Sequence, residues 1–182
     1  MNNEHEREQN MEFIPALDSF SQDEAAKLIW ERLSGILGDV DGICYYKHPI
    51  ISSVSSLPPD FALIAEGYEP VAIKSVSCTL GEIESIGQSV WKISGQESDS
   101  PLLILDDFVT GLKNKFERQR PLRRLLNPIG ILALPLIGRK EFERKFKNIE
   151  TLMTSLNGWN PNTHQLLKKK CCWSVCGASL LY

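Results

Sequence analysis

With 182 residues, 42% of them apolar and 24% charged, and a net charge of -3, the chain has the size and balance of one globular domain with tails. No apolar run reaches the roughly 18 to 20 residues of a membrane span, and the opening MNNEHEREQN lacks the basic start and apolar core of a signal peptide, so a cytoplasmic, non-membrane protein is expected. The acidic balance argues against strong nonspecific nucleic-acid binding, which draws on an excess of Lys and Arg.

Residues 1–20 are polar and then irregular, with Pro15 interrupting EFIPALDSF, and read as a mobile arm ending in a docking segment. In SQDEAAKLIWERLSGIL, the residues Ala25, Leu28, Ile29, Leu33, Ile36 and Leu37 keep helical spacing. Ser21 with Glu24 forms a capping-box signature, and Gly38 ends the helix. GICYYKHPIIS reads as a strand interrupted near Pro49. Next, DFALIA and PVAIKSV flank the turn-forming EGYE and predict a hairpin.

The Gly- and Ser-rich SCTLGEIESIGQSVWKISGQESDS is expected to be a loop with one short strand at WKI. Ser100 as N-cap and Pro101 at the first helical position open a second helix, whose apolar face is Leu102, Leu105, Phe108, Val109, Leu112 and Phe116. IGILALPLI has the length and composition of a strand covered on both faces. RKEFERKFKNIETLMTSL repeats Phe142, Phe146, Ile149, Leu152, Met153 and Leu156 as a third helix, and after Gly158 no period is sustained. The order of helix, three strands, helix, strand and helix predicts an α/β or α+β sandwich with a mixed central sheet. The expected organisation is an arm at 1–20, a domain at 21–156 and an irregular tail at 157–182.

Five cysteines, an odd number, fit reduced thiols. Cys44 and Cys78 stand in apolar strand contexts and read as core, while CCWSVC lacks the spacing of a zinc site. Trp30 and Trp91 read as core residues. Arg118, Arg120, Arg123 and Arg124 form one basic cluster, and Arg139, Lys140, Arg144, Lys145 and Lys147 another; each is either solvated surface charge or a local phosphate-binding patch.

In a hairpin whose turn centres near Gly67 and Tyr68, cross-strand partners have numbers summing to about 134, so Asp60 faces Lys74 and Ala62 faces Ala72. Residues two apart share a face, so positions 60, 72 and 74 converge on one end of the sheet. Two carboxylates there could hold Mg²⁺, and a lysine could orient or activate water for phosphodiester attack.

PPDFALIAEGYEPVAIKSV resembles the PD-(D/E)xK nuclease motif. Together with Glu24, GEIESIGQSVWKISGQESDSP, LDDFVTGLKNKFERQRPL and ILALPLI, over roughly residues 21–150, it resembles the nuclease-related domain (NERD) family, which fronts some bacterial superfamily-one helicases. The resemblance implies a restriction-endonuclease-like α/β sandwich, with a mixed central β-sheet flanked by helices. It implies Asp60 as first metal ligand, Lys74 as catalytic lysine and Glu24 as the acidic residue of the first helix, although Glu24 reads first as the capping-box residue of the helix start. Ala72 stands where the family carries its second acidic ligand, and Ile104 where a glutamine commonly supports the site.

Three functions follow as expectations. The first is a domain with a degraded metal site that serves DNA processing as a DNA-binding or interaction module. Its partners would be DNA and a helicase or another DNA-processing protein. The second is an active Mg²⁺-dependent DNA phosphodiesterase completed by a displaced carboxylate such as Glu24, Glu82 or Glu84. The third is a protein-interaction scaffold without nucleic-acid binding. The DNA-contacting residues would be Arg118, Arg120, Arg123 and Arg124.

Overall fold

The computed structural model describes residues 11–15, 23–54, 58–123, 126–146 and 179–181. It is an α/β fold built on a mixed six-stranded sheet with a second sheet of three strands beside it. Strand β1 (Met11–Ile14) runs parallel to β2 (Gly42–Tyr46), which pairs antiparallel with β3 (Phe61–Ala65). Antiparallel pairing continues to β4 (Val71–Ser75), which is parallel to β8 (Ile129–Leu134). The strand at Ser179–Leu181, β9, closes the order antiparallel to β8.

Helix α1 (Glu24–Leu37) covers one face of this sheet. Its Ala26, Ile29, Leu33 and Leu37 share a buried cluster with Cys44, Tyr46, Phe61, Leu63, Val71, Ile73, Ile131 and Ala133. Helix α3 (Pro101–Arg118) covers the other, where Leu102, Leu105 and Phe108 pack with Ala72, Leu132 and Leu134. Alternation along β4 and β8 produces this division, because successive side chains point to opposite faces. The IGILAL run is therefore apolar throughout for a physical reason: both of its faces are covered. A one-turn helix α2 (Pro49–Ser52) follows β2 and contributes Ile51 to the α3 side.

Several expectations change. Met11–Ile14 and Ser179–Leu181 are strands of the main sheet, so the arm and the tail each contribute an ordered element. The Gly- and Ser-rich segment is a sheet of β5 (Ile83–Ile86), β6 (Val90–Ile93) and β7 (Gln96–Asp99). Ser94 and Gly95, with φ of 51° and 79°, make the β6–β7 turn, and this pair of positive φ values suits a tight hairpin. Trp91 of β6 is fully buried against the α3 cluster, whereas Trp30 of α1 meets Phe13 and Tyr46 edge-on beside the α1 cluster.

The helix expected from RKEFERK is α4 (Arg139–Lys145), anchored where Lys145 Nζ donates to the carbonyls of Leu80 at 2.7 Å and Ile83 at 2.6 Å. The expected helical positions Ile149, Leu152, Met153 and Leu156 lie outside the described residues, as do Cys171, Cys172 and Cys176. Cys44 and Cys78 are buried as expected, and burial pushes their thiols up to about 12 and about 11, with Glu82 contributing at Cys78. Among the described residues no helix is long and apolar enough to cross a membrane.

Candidate functional site

The hairpin forms in the register expected from its turn. Phe61 pairs with Ile73, Ala62 with Ala72 and Leu63 with Val71, and the Asp60 N–H donates to the Ile73 carbonyl at 3.0 Å, extending the ladder by one step. The turn passes through Gly67 at φ 77°, a conformation that costs glycine nothing. Asp60 and Lys74 therefore meet across the strands, with Lys74 Nζ donating to Asp60 Oδ1 at 3.1 Å. Because β4 lies between β3 and β8, Lys74 is an interior-strand lysine and does not protect a sheet edge.

Asp60 is buried, at 4% exposure. Its Oδ2 accepts from the Ser75 N–H at 2.7 Å and from the Ser75 hydroxyl at 2.8 Å. Around Oδ1, Lys74 is joined by a second ammonium, that of Lys47, at 4.0 Å. Both carboxylate oxygens are thus engaged, as a buried charge requires.

Lys47 leads to a further carboxylate. Its Nζ donates to Asp23 Oδ2 at 3.0 Å, and the Tyr46 hydroxyl donates to the same oxygen at 3.5 Å. The other oxygen of Asp23 caps α1 by accepting from the Ala26 N–H at 3.0 Å. Partial burial raises the Asp23 carboxyl, but the Ala26 N–H and the Lys47 ammonium outweigh this and hold it below the usual carboxylate range. Burial likewise opposes the Lys47 charge, and Asp23, Tyr46 and Asp60 more than offset it, leaving Lys47 above its ordinary value. Burial chiefly raises the Tyr46 hydroxyl.

The acidic residue that joins this group from the start of α1 is its N-cap, Asp23. Glu24 is exposed in the first helical turn and does not make the helix cap, since Asp23 occupies that position. The expected capping box fails for that reason. Sequence reasoning missed Asp23 and Lys47. Asp23 carried a usable signal, being an equally good capping residue immediately before EAAKL, whereas Lys47 carried none.

Ala72 is buried at 1% exposure in the cluster beneath α3. Its neighbours across the strands are Ala62 and Gly130, and a side chain at Gly130 would place Cβ 3.2 Å from Leu105 Cβ and 3.5 Å from Val109 Cγ2. This row of small residues lets α3 seat directly on the sheet, filling the space that a longer acidic side chain at 72 would need. Ile104 is half-buried on α3.

These residues do not fit a hydrated Mg²⁺, which needs oxygen ligands at about 2.0–2.1 Å in octahedral array. The oxygens of Asp60 already serve Ser75 and Lys74, and position 72 offers a methyl group. Among the described residues no three His, Cys, Asp or Glu side chains gather as a metal-binding group. Glu82 and Glu84 are committed elsewhere: Glu82 accepts from the Thr79 N–H and hydroxyl, each at 2.7 Å, and Glu84 pairs with Lys92 at 2.9 Å.

Of the arginine cluster, Arg118 lies exposed in the last turn of α3 and Arg120 is exposed just beyond it. Arg123 Nε is 3.4 Å from Glu117 Oε2, so part of its charge is answered within the chain, and Arg124 lies outside the described residues. Compared with models of known families, with curated proteins and with solved structures, the chain matches none.

Proposed function

We propose that the chain is a nuclease-related domain of restriction-endonuclease-like architecture whose metal site is degraded, and which works as a binding module in DNA processing. Its partners are DNA and a helicase or another DNA-processing protein, and its setting is cytoplasmic. The observation that carries this reading is the pairing of Asp60 with Lys74 at the end of the β3–β4 hairpin, while the intervening acidic position is Ala72, sealed under α3. The motif's hairpin is kept and its second ligand is lost. Arg118 and Arg120 at the end of α3 supply the phosphate contacts.

The test combines two assays on the full chain. Labelled single- and double-stranded DNA is incubated with Mg²⁺ or Mn²⁺, and binding of the same DNA is titrated at rising salt. The reading expects no cleavage and a binding constant that falls steeply with salt. Cleavage lost in Lys74→Ala would instead make the chain an enzyme. The Arg123–Glu117 pair and the net charge of -3 favour one competing reading, a protein-interaction scaffold. That reading expects no DNA binding even at low salt.

A further inference from the structure

We propose that the Lys47 ammonium is a built-in substitute for a metal ion, tying the carboxylate that caps α1 to the carboxylate at the mouth of the β3–β4 hairpin. Its Nζ lies between them, 3.0 Å from Asp23 Oδ2 and 4.0 Å from Asp60 Oδ1. A cation shared by the acid that caps the first helix and the acid just before β3 is an arrangement that a metal could also provide, and here the cation is covalently part of the chain.

Further observations support the assignment. Lys47 has φ of 44°, in the left-handed region that residues with side chains adopt at a cost and that glycine or asparagine would enter more easily. Its own N–H donates to the Asp60 carbonyl at 2.7 Å, so backbone and side chain grip the same residue. The charges also balance, because Asp23 and Asp60 face Lys47 and Lys74. A divalent ion entering this balanced group must displace an ammonium. Lys47, with its side chain 45% exposed, is the one able to leave, whereas Lys74 is at 23%.

The inference rests on this geometry alone and stands whether or not the chain binds DNA. Its test uses Mn²⁺ as the probe, with thermal unfolding and Mn²⁺ electron paramagnetic resonance on the full chain. Native protein should show no Mn²⁺ site that depends on Asp23 and no upward shift of its unfolding midpoint with Mn²⁺. Lys47→Ala should unfold several degrees lower, recover a large part of that loss with millimolar Mn²⁺, and lose the recovery when Asp23→Asn is added. Asparagine keeps the cap, so the added change isolates the ligand. A stoichiometric Mn²⁺ site in the native chain that Asp23→Asn removes would overturn the proposal, as would a Lys47→Ala variant indifferent to Mn²⁺. If Lys47→Ala does not fold, Lys47→Met keeps the stem without the charge, and the native-chain measurement decides independently.

Discussion

Ser75 gives Asp60 both its backbone N–H, at 2.7 Å, and its hydroxyl, at 2.8 Å, on a single carboxylate oxygen. The residue after the lysine thus fixes the carboxylate in place, and Lys74 reads its other oxygen. Replacing Asp60 with alanine strips the partner from a largely buried ammonium and from a part-buried N–H, and should cost about 3–5 kcal/mol. Ser75→Ala, which keeps the N–H bond, should cost about 1 kcal/mol. Urea unfolding of both variants checks the order, and an Asp60→Ala no worse than Ser75→Ala would mean that the carboxylate is not structurally engaged.

Placing an acid at position 72 should fail for steric and dielectric reasons. Ala72→Glu forces a carboxylate under α3 and should destabilise the fold by about 3 kcal/mol or more, without producing cleavage of DNA in Mg²⁺. Gly130→Ala, which pushes a methyl group at Leu105, should cost about 1–3 kcal/mol by overpacking the same row. A stable, cutting Ala72→Glu variant would show that the helix yields and that the site was one residue from completion.

The Asp23–Lys47 link has a defined pH window. The folded-state carboxyl of Asp23 is depressed, so its contribution is present above the unfolded carboxyl value and is lost as pH falls through the folded one, on the acid side of about pH 4. The Lys47 ammonium is raised, so its contribution is full below the unfolded lysine value near 10.5 and is lost as pH rises through the folded one. Chemical denaturation of the native chain and of Asp23→Asn across pH 3 to 11 should give curves that separate most in the middle of the range and draw together toward both ends. Parallel curves throughout would dissociate the link from stability.

Hairpin geometry was legible from residue numbers alone, because a short connection, residues 66–70, and a period of two leave the register little freedom. Ser100 and Pro101 marked the start of α3 equally well, since their local chemistry is sufficient. Legibility ended where an element depends on distant partners. Nothing near Ser179–Leu181 announces a strand, because its hydrogen bonds are made with β8, whose last residue is 45 positions earlier. The three short strands of the second sheet hid among glycines and serines that read as loop, although the Ser94–Gly95 pair was a hairpin signal. Lys47 was invisible because its contacts are with Asp23 and Asp60, residues distant in the chain that meet it only in the fold.

If the exposed arginines bind phosphate, Arg118→Glu with Arg120→Glu should weaken DNA binding at low salt. The slope of log affinity against log salt should flatten by about 0.9 for each phosphate that is no longer neutralised. Circular dichroism should remain unchanged, since both side chains are exposed at and beyond the end of α3. Unaltered affinity would move the DNA-binding surface elsewhere or remove it.

Because the main sheet separates its two buried clusters, the tryptophans on either side form a natural pair of optical reporters. Trp91, enclosed in hydrocarbon on the α3 side, should emit toward the blue, while half-buried Trp30, among Phe13 and Tyr46 beside α1, should emit further to the red. With Trp159 and Trp173 replaced by phenylalanine, one emission spectrum would follow both halves of the core, and loosening of either helix layer would show as a change in its own colour.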